Sequence, residues 1–175
     1  AETRVSVLGK WFHILGSLPD VMDVIFDSCD LGGKKLPMLV ETLRKLAHLS
    51  NLTITSNQIT SLIPLKGITG LAHLDLRANK LITLTGLENH NSLTHLRLSG
   101  NKITSLLPLQ ALTGLTNLEL SDNQISSVLP LKNLTGLTWL LLFNNKIHSV
   151  LPLQSLFSIE YLDFAFNQVK TVLPL

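Results

Sequence analysis

Along this chain leucines alternate with polar residues in short bursts, and the bursts are evenly spaced. Glu119 stands between Leu118 and Leu120, and the same triplet recurs at steps of 22 as Leu52-Thr53-Ile54, Leu74-Asp75-Leu76 and Leu96-Arg97-Leu98. Alternation sends successive side chains to opposite faces of an extended chain, so each triplet predicts a very short strand with one buried face. Such a strand has no stability alone. Stacking successive units pairs the strands in parallel and closes their leucines into one core, each unit touching mainly its neighbours.

The register is carried by Asn57, Asn79, Asn101, Asn123, Asn145 and Asn167, spaced 22 apart without a break. Around each lies L-x-x-L-x-L-x-x-N-x-[I/L/V], as in LTNLELSDNQI, LAHLDLRANKL and LTWLLLFNNKI. A short amide just after the strand, where the chain turns inward, can satisfy backbone groups that the turn would otherwise bury unpaired. On the far side of each unit Leu62, Leu84, Leu106, Val128, Val150 and Val172 recur, as do Pro64, Pro108, Pro130, Pro152 and Pro174, with Gly86 filling the gap in the proline column. Proline opposes a long helix, so these backs are expected to be short turns or one helical turn.

Residues before Asn57 follow a longer version of this pattern. At a shift of 28, Leu8 aligns with Leu36, Leu15 with Leu43, Val24 with Leu52, Phe26 with Ile54 and Cys29 with Asn57. Apolar spacings of 3 and 4 in KKLPMLVETLRKLAHL predict a helix over about residues 35–47, with Pro37 in its first turn. A comparable helix is expected over residues 6–16. The organisation implied is one domain over 1–175, a helix-containing N-terminal portion over 1–49 that also acts as a cap, and short 22-residue units over 50–175 with no recognisable C-terminal cap.

Composition narrows the function classes. The chain has 175 residues, 45% of them hydrophobic, enough for one sizeable core. Fourteen Lys and Arg against twelve Asp and Glu give a net charge of +2 with no basic run, which argues against nucleic acid as partner. No apolar stretch approaches the roughly 20 residues of a membrane span, so no membrane insertion is expected. A single cysteine, Cys29, excludes an intrachain disulfide framework and leaves the compartment open. The first residues, AETRVSVLGK, carry neither an initiating Met nor a signal-like apolar core.

The six copies of the motif resemble leucine-rich repeats, and LTNLELSDNQISSVLPLKNLTG over 115–136 resembles the 22-residue repeats of the bacterial internalins. Residues 5–59 resemble instead the longer helical repeats of ribonuclease inhibitor and of nucleotide-binding immune receptors. The resemblance implies an α/β repeat solenoid, a right-handed leucine-rich repeat with a parallel sheet of about seven short strands on its concave face, and non-catalytic protein recognition through that face. It implies the extracellular space or a bacterial surface for an internalin-like protein, and the cytoplasm for an immune-receptor-like or engineered one. Joining two repeat classes also suits an engineered or hybrid structural scaffold without an evolved ligand. The repeat pattern runs on to VLPL, which is expected to leave Leu162 and Phe164 partly exposed, and truncation, a deliberately bare end or end-to-end packing into a homo-oligomer would each account for that.

Outward positions of the strands form columns across the sheet. The first is Asn51, His73, His95, Asn117, Trp139, Tyr161; the second is Thr53, Asp75, Arg97, Glu119, Leu141, Asp163. The third column includes Arg77 and Phe143, and Phe166 stands just before the last asparagine. Large apolar side chains on a face that pattern assigns to solvent have no core to satisfy, and buried aromatic anchors are characteristic of binding interfaces. Trp139, Leu141, Phe143, Tyr161 and Phe166, with Asp163, are therefore the leading candidates for contact with a protein ligand. His73, Arg77, His95, Arg97 and Glu119 form a polar continuation of the same surface, with lateral pairs expected between Asp75 and Arg97 and between Arg97 and Glu119. Exposed pairs of this kind also occur as plain solvated surface.

Catalysis, cofactors and metals are not expected. His73, His95 and Asp75 lack a third dependable ligand and an enclosing pocket, and Cys29 lies in the inward turn column without an oriented base. Gly32-Gly33 lack the surroundings of a phosphate loop. The NLT strings at Asn51 and Asn133 match glycosylation acceptors but are also part of the repeat. His90 replaces an inward aliphatic column, Leu46, Ile68, Leu112, Leu134 and Leu156, and is expected to be neutral and buried with one hydrogen bond.

Overall fold

The computed structural model describes residues 3–6, as backbone, and residues 20–170. The helix expected over 6–16, and Val172 and Pro174 of the back columns, lie outside the described residues. Strands β1 (Thr3–Ser6), β2 (Val21–Ile25), β3 (Asn51–Thr53), β4 (His73–Asp75), β5 (His95–Arg97), β6 (Asn117–Glu119), β7 (Trp139–Leu141) and β8 (Tyr161–Asp163) form one parallel sheet in chain order. Seven of them precede the column that begins with Cys29 and continues through the asparagines. β1 adds an eighth at the N-terminal edge, pairing Val5 with Val24.

Register follows the motif without slippage. Leu52, Leu74, Leu96, Leu118, Leu140 and Leu162 are successive lateral partners, and the first five are buried. Behind them Phe26, Ile54, Leu76, Leu98, Leu120 and Leu142 are buried to the same degree, as is the column Leu31, Ile59, Leu81, Ile103, Ile125 and Ile147. Leu162, Phe164 and Val169 are only partly covered.

The asparagines behave as the pattern requires. Asn123 Oδ1 accepts the Ile103 N–H at 2.9 Å, while its Nδ2 donates to the carbonyls of Leu98 and Leu120 at 3.1 and 3.0 Å. Asn79, Asn101 and Asn145 repeat this arrangement, so each amide ties its own turn to the preceding unit. Asn57 accepts from both Cys29 and Leu31, which shows how the longer N-terminal unit joins the same ladder. The residues just before the asparagines, Ser56, Ala78, Gly100, Asp122, Asn144 and Phe166, have φ between 52° and 72°, the left-handed turn that aims the amide inward.

The back elements are short. Among the described residues one α-helix, α1 (Lys35–Leu43), buries Leu36, Leu39, Val40 and Leu43, and Pro37 sits in its first turn. It stops four residues before the expected end at 47. Bonds of the tighter i to i+3 kind, Lys45 N–H to Thr42 and Leu46 N–H to Leu43, unwind the chain toward β3 and let Leu46 enter the core. The later units carry 3₁₀ turns at Ile63–Gly67, Leu107–Leu109, Leu129–Leu131 and Leu151–Ser155, each with its proline in the first turn. The unit without the proline has no such turn. There Gly86 adopts φ +115°, and an added Cβ would fall 2.5 Å from the Leu62 carbonyl oxygen.

His90 is buried with no exposed surface, but the expected hydrogen bond is not made: neither ring nitrogen has a partner. The ring occupies an aliphatic column whose neighbours spend their backbone groups on the repeat's own turns, including Leu93 N–H to His90 and His90 N–H to Leu87. Burial pushes the imidazole pKa down, and the carbonyls of Leu87, Leu65 and Ile68 and the Glu88 carboxylate oppose that shift only in part.

Candidate functional site

Parallel pairing places equivalent residues of successive units side by side, so the outward columns become rows of neighbours. Trp139 is the lateral partner of Tyr161 and Leu141 of Asp163. The Trp139 and Tyr161 rings stack, with centroids 4.1 Å apart and planes 12° from parallel. Farther along, just beyond the strands, the Phe143 and Phe166 rings meet at 4.9 Å and 58°. Trp139, Tyr161 and Phe166 are exposed, Phe166 by 76%, while Leu141, Phe143 and Asp163 are half-covered. All six residues singled out at this end of the sheet therefore form one patch on β7, β8 and the turn beyond.

Phe166 has a positive φ of 55°, a backbone region that bulky side chains seldom occupy. The other members of its column are Ser, Ala, Gly, Asp and Asn. Its aromatic side chain is held outward at a position where the repeat elsewhere uses small or polar residues.

The middle of the face is charged and hydrogen-bonded. Asp75 stands in an outward column, which the pattern assigns to solvent, yet it is only 8% exposed. The reason is Arg77, whose guanidinium closes over the carboxylate with Nε at 3.0 and 3.1 Å and Nη2 at 2.6 Å. The Asp75 hydrogen bond in turn raises the Arg77 pKa above its ordinary value. The fork joins the last residue of β4 to the residue two positions beyond the strand, a contact that lateral pairing does not imply. The lateral pairs also form, Arg97 with Glu119 at 3.1 Å and with Asp75 at 4.0 Å. A chain of alternating charge thus runs Arg77, Asp75, Arg97, Glu119 across three strands.

The His73 and His95 rings lie 4.3 Å apart with their planes tilted by 31°. His73 Nδ1 contacts Asn51 Oδ1 at 2.7 Å, and His95 Nδ1 contacts the Thr94 hydroxyl at 2.9 Å. Asn51 also donates to Asp23 on β2, extending the polar row toward the N-terminal side by a residue that the columns did not include. Burial first, then the neighbouring His73 and Arg97, push the His95 pKa down. A shallow depression of about 120 Å³ lies between Asn51, His73, Asp75, His95 and Arg97. Among the described residues no three His, Cys, Asp or Glu side chains gather as metal ligands, and no helix is long and apolar enough to cross a membrane. Cys29 is half-buried and its Sγ lies 3.2 Å from the Asp27 carbonyl.

Residues 91–133 match the family described as Leucine Rich repeats (2 copies). The fold is similar to that of an internalin (inlF) from Listeria monocytogenes, with a TM-score of 0.72 and 22% identity over 93% of this chain and 58% of that one. It is similar also to internalin C2 (inlC2) from the same organism, with a TM-score of 0.58 and 31% identity over 75% of this chain and 68% of that one. The chain thus spans 58% of the length of the first of these relatives. No curated protein sequence matches it significantly.

Proposed function

Because the chain belongs to the leucine-rich repeat family, with repeats related to those of the internalins, we propose that it is a non-catalytic binding protein that holds a protein partner on its strand face. The observation that carries this reading is the patch of Trp139, Leu141, Phe143, Tyr161 and Phe166 on the face of the sheet that turns away from the core. Stacked aromatic side chains offer a large contact area at small cost in conformational entropy, which is why such residues dominate binding energy at interfaces. The charged row of Arg77, Asp75, Arg97 and Glu119 continues the same face and supplies a polar margin that orients the partner.

In this reading residues 1–175 act as one domain, in which the helix-backed units over 1–49 shield the first leucines and the 22-residue units over 50–175 present the binding face. The longer spacing of the first units supports assigning them to the helical repeat type of ribonuclease inhibitor and the immune receptors.

Affinity capture with the wild type and with Trp139→Ala/Tyr161→Ala, followed by binding measurements on the purified hit, tests the proposal. Loss of a partner by the double variant with an unchanged fold supports the anchor; retention of every partner defeats it. Size-exclusion chromatography identifies the competing use of the same surface. A concentration-dependent dimer abolished by Trp139→Ala and Phe143→Ala would assign the aromatics to self-association.

A further inference from the structure

The sheet contains two aspartates in one outward column, Asp75 on β4 and Asp163 on β8, and their surroundings differ in two respects. Both carboxylates accept the backbone N–H two residues on: Asp75 Oδ1 from Arg77 at 3.1 Å, and Asp163 Oδ1 from Ala165 at 3.0 Å. At Asp75 the residue two on is an arginine, and its guanidinium covers the carboxylate while Arg97 approaches from the next strand at 4.0 Å. At Asp163 the residue two on is alanine and the lateral neighbour is Leu141. Among the described residues no charged nitrogen of a Lys, Arg or His lies within 4.0 Å of the Asp163 carboxylate oxygens, and the Ala165 N–H is the one hydrogen bond that carboxylate makes.

The neighbours of Asp163 are aromatic. Its column runs between the stacked Trp139 and Tyr161 rings on one side and the Phe143 and Phe166 pair on the other. A carboxylate with an open oxygen, in a column flanked by aromatic residues on both sides, matches one side chain best. A guanidinium can fork onto the carboxylate through two N–H groups and lay its plane against an aromatic face, and it is less strongly hydrated than an ammonium. We propose that Asp163, between Trp139/Tyr161 and Phe143/Phe166, receives an arginine side chain of the partner protein, in the place that Arg77 occupies over Asp75 within the chain.

This rests on the strand-face reading and sharpens it: the partner presents an arginine to the aromatic end of the sheet. The remaining acids there act in the same direction. Glu119 is held by Arg97, so that guanidinium is already engaged, while Asp122, which accepts from the neutral Asn144 amide at 2.8 Å, keeps its negative charge and favours a cation nearby.

The test is a titration of the isotopically labelled protein with Nα-acetyl-arginine methylamide, following the Trp139 indole N–H and the Ala165 amide by NMR, with the lysine and citrulline analogues as comparisons. The arginine probe is expected to give saturable shifts in the millimolar range, with the neutral citrulline analogue and Asp163→Asn each weakening binding about ten-fold. Ala165→Arg recreates the Arg77 arrangement just beyond β8 and is expected to abolish probe binding by filling the site itself. Thermal melts of both variants establish that they fold. Equal binding of citrulline or lysine, full binding by folded Asp163→Asn or Ala165→Arg, or no saturation by the wild type overturns the proposal. A partner lost by Trp139→Ala/Tyr161→Ala but held equally by Asp163→Asn overturns arginine capture and leaves the strand-face reading standing.

Discussion

The Trp139 indole lies flat against the Tyr161 ring, 4.1 Å away, although the two residues are 22 positions apart in the chain. Parallel pairing of β7 with β8 places them side by side, and nothing in the core depends on them. Trp139→Ala/Tyr161→Ala is therefore expected to lower stability by only about 0.5–1.5 kcal/mol, the value of the ring pair itself. Urea denaturation of the variant checks this, and a much larger loss would mean that the rings help hold the solenoid together.

Removing one rung of the asparagine ladder should cost far more. Asn123→Ala strips the Ile103 N–H and the Leu98 and Leu120 carbonyls of their partner in a buried turn. With each orphaned group worth about 1–3 kcal/mol, a loss of about 3 kcal/mol or more is expected in chemical denaturation. A change below about 1 kcal/mol would show that water reaches the turn and replaces the amide.

His90 makes stability depend on pH. Burial lowers its folded-state pKa below the unfolded value, so the ring is neutral in both states at pH 8 and the folded state loses stability as pH falls through the unfolded pKa toward the folded one. His90→Leu also removes two unpaired buried nitrogens and matches the Leu112 and Leu134 of its column. The variant is expected to melt higher at pH 8 and to widen its lead down to pH 5. Parallel pH profiles for the two proteins would contradict this.

Two glycines with positive φ separate backbone strain from crowding. Gly33 has φ +58° with nothing within 4 Å of an added Cβ, whereas Gly86 has φ +115° with the Leu62 carbonyl oxygen at 2.5 Å. Gly33→Ala is expected to cost about 1 kcal/mol and Gly86→Ala at least about twice that. Matched thermal melts decide it, and equal losses would mean that the turn at Gly86 moves freely.

Most of the fold was legible because the chain repeats its instructions. The alternation around Glu119 and the spacing of the asparagines predict strand, face and neighbour together, so a column read from residues 22 apart becomes a row of lateral partners such as Trp139 and Tyr161. Legibility failed where a contact is not lateral. Arg77, just beyond β4, reaches back to Asp75 and buries it, and no spacing rule distinguishes that rotamer from one extended into solvent. His90 kept the column position but not the hydrogen bond, since the backbone of its unit was already committed to turns. The early end of α1 depends on where the chain must turn to deliver Leu46 to the core, a tertiary demand that the helical spacing does not contain.

The proposed binding role is tested most directly by comparing the two faces of the solenoid. Phe157, 92% exposed, and Leu129, 55% exposed, lie outside the strands and serve as back-surface controls for the aromatic patch. With a captured partner in hand, its affinity is measured for the wild type, for Trp139→Ala/Tyr161→Ala and for Leu129→Ser/Phe157→Ser. Loss of two aromatic anchors is expected to weaken binding by about a hundred-fold or more, while the back-surface variant stays within about three-fold of the wild type. An unchanged affinity for the strand-face variant, or a larger loss for the back-surface one, would contradict the account.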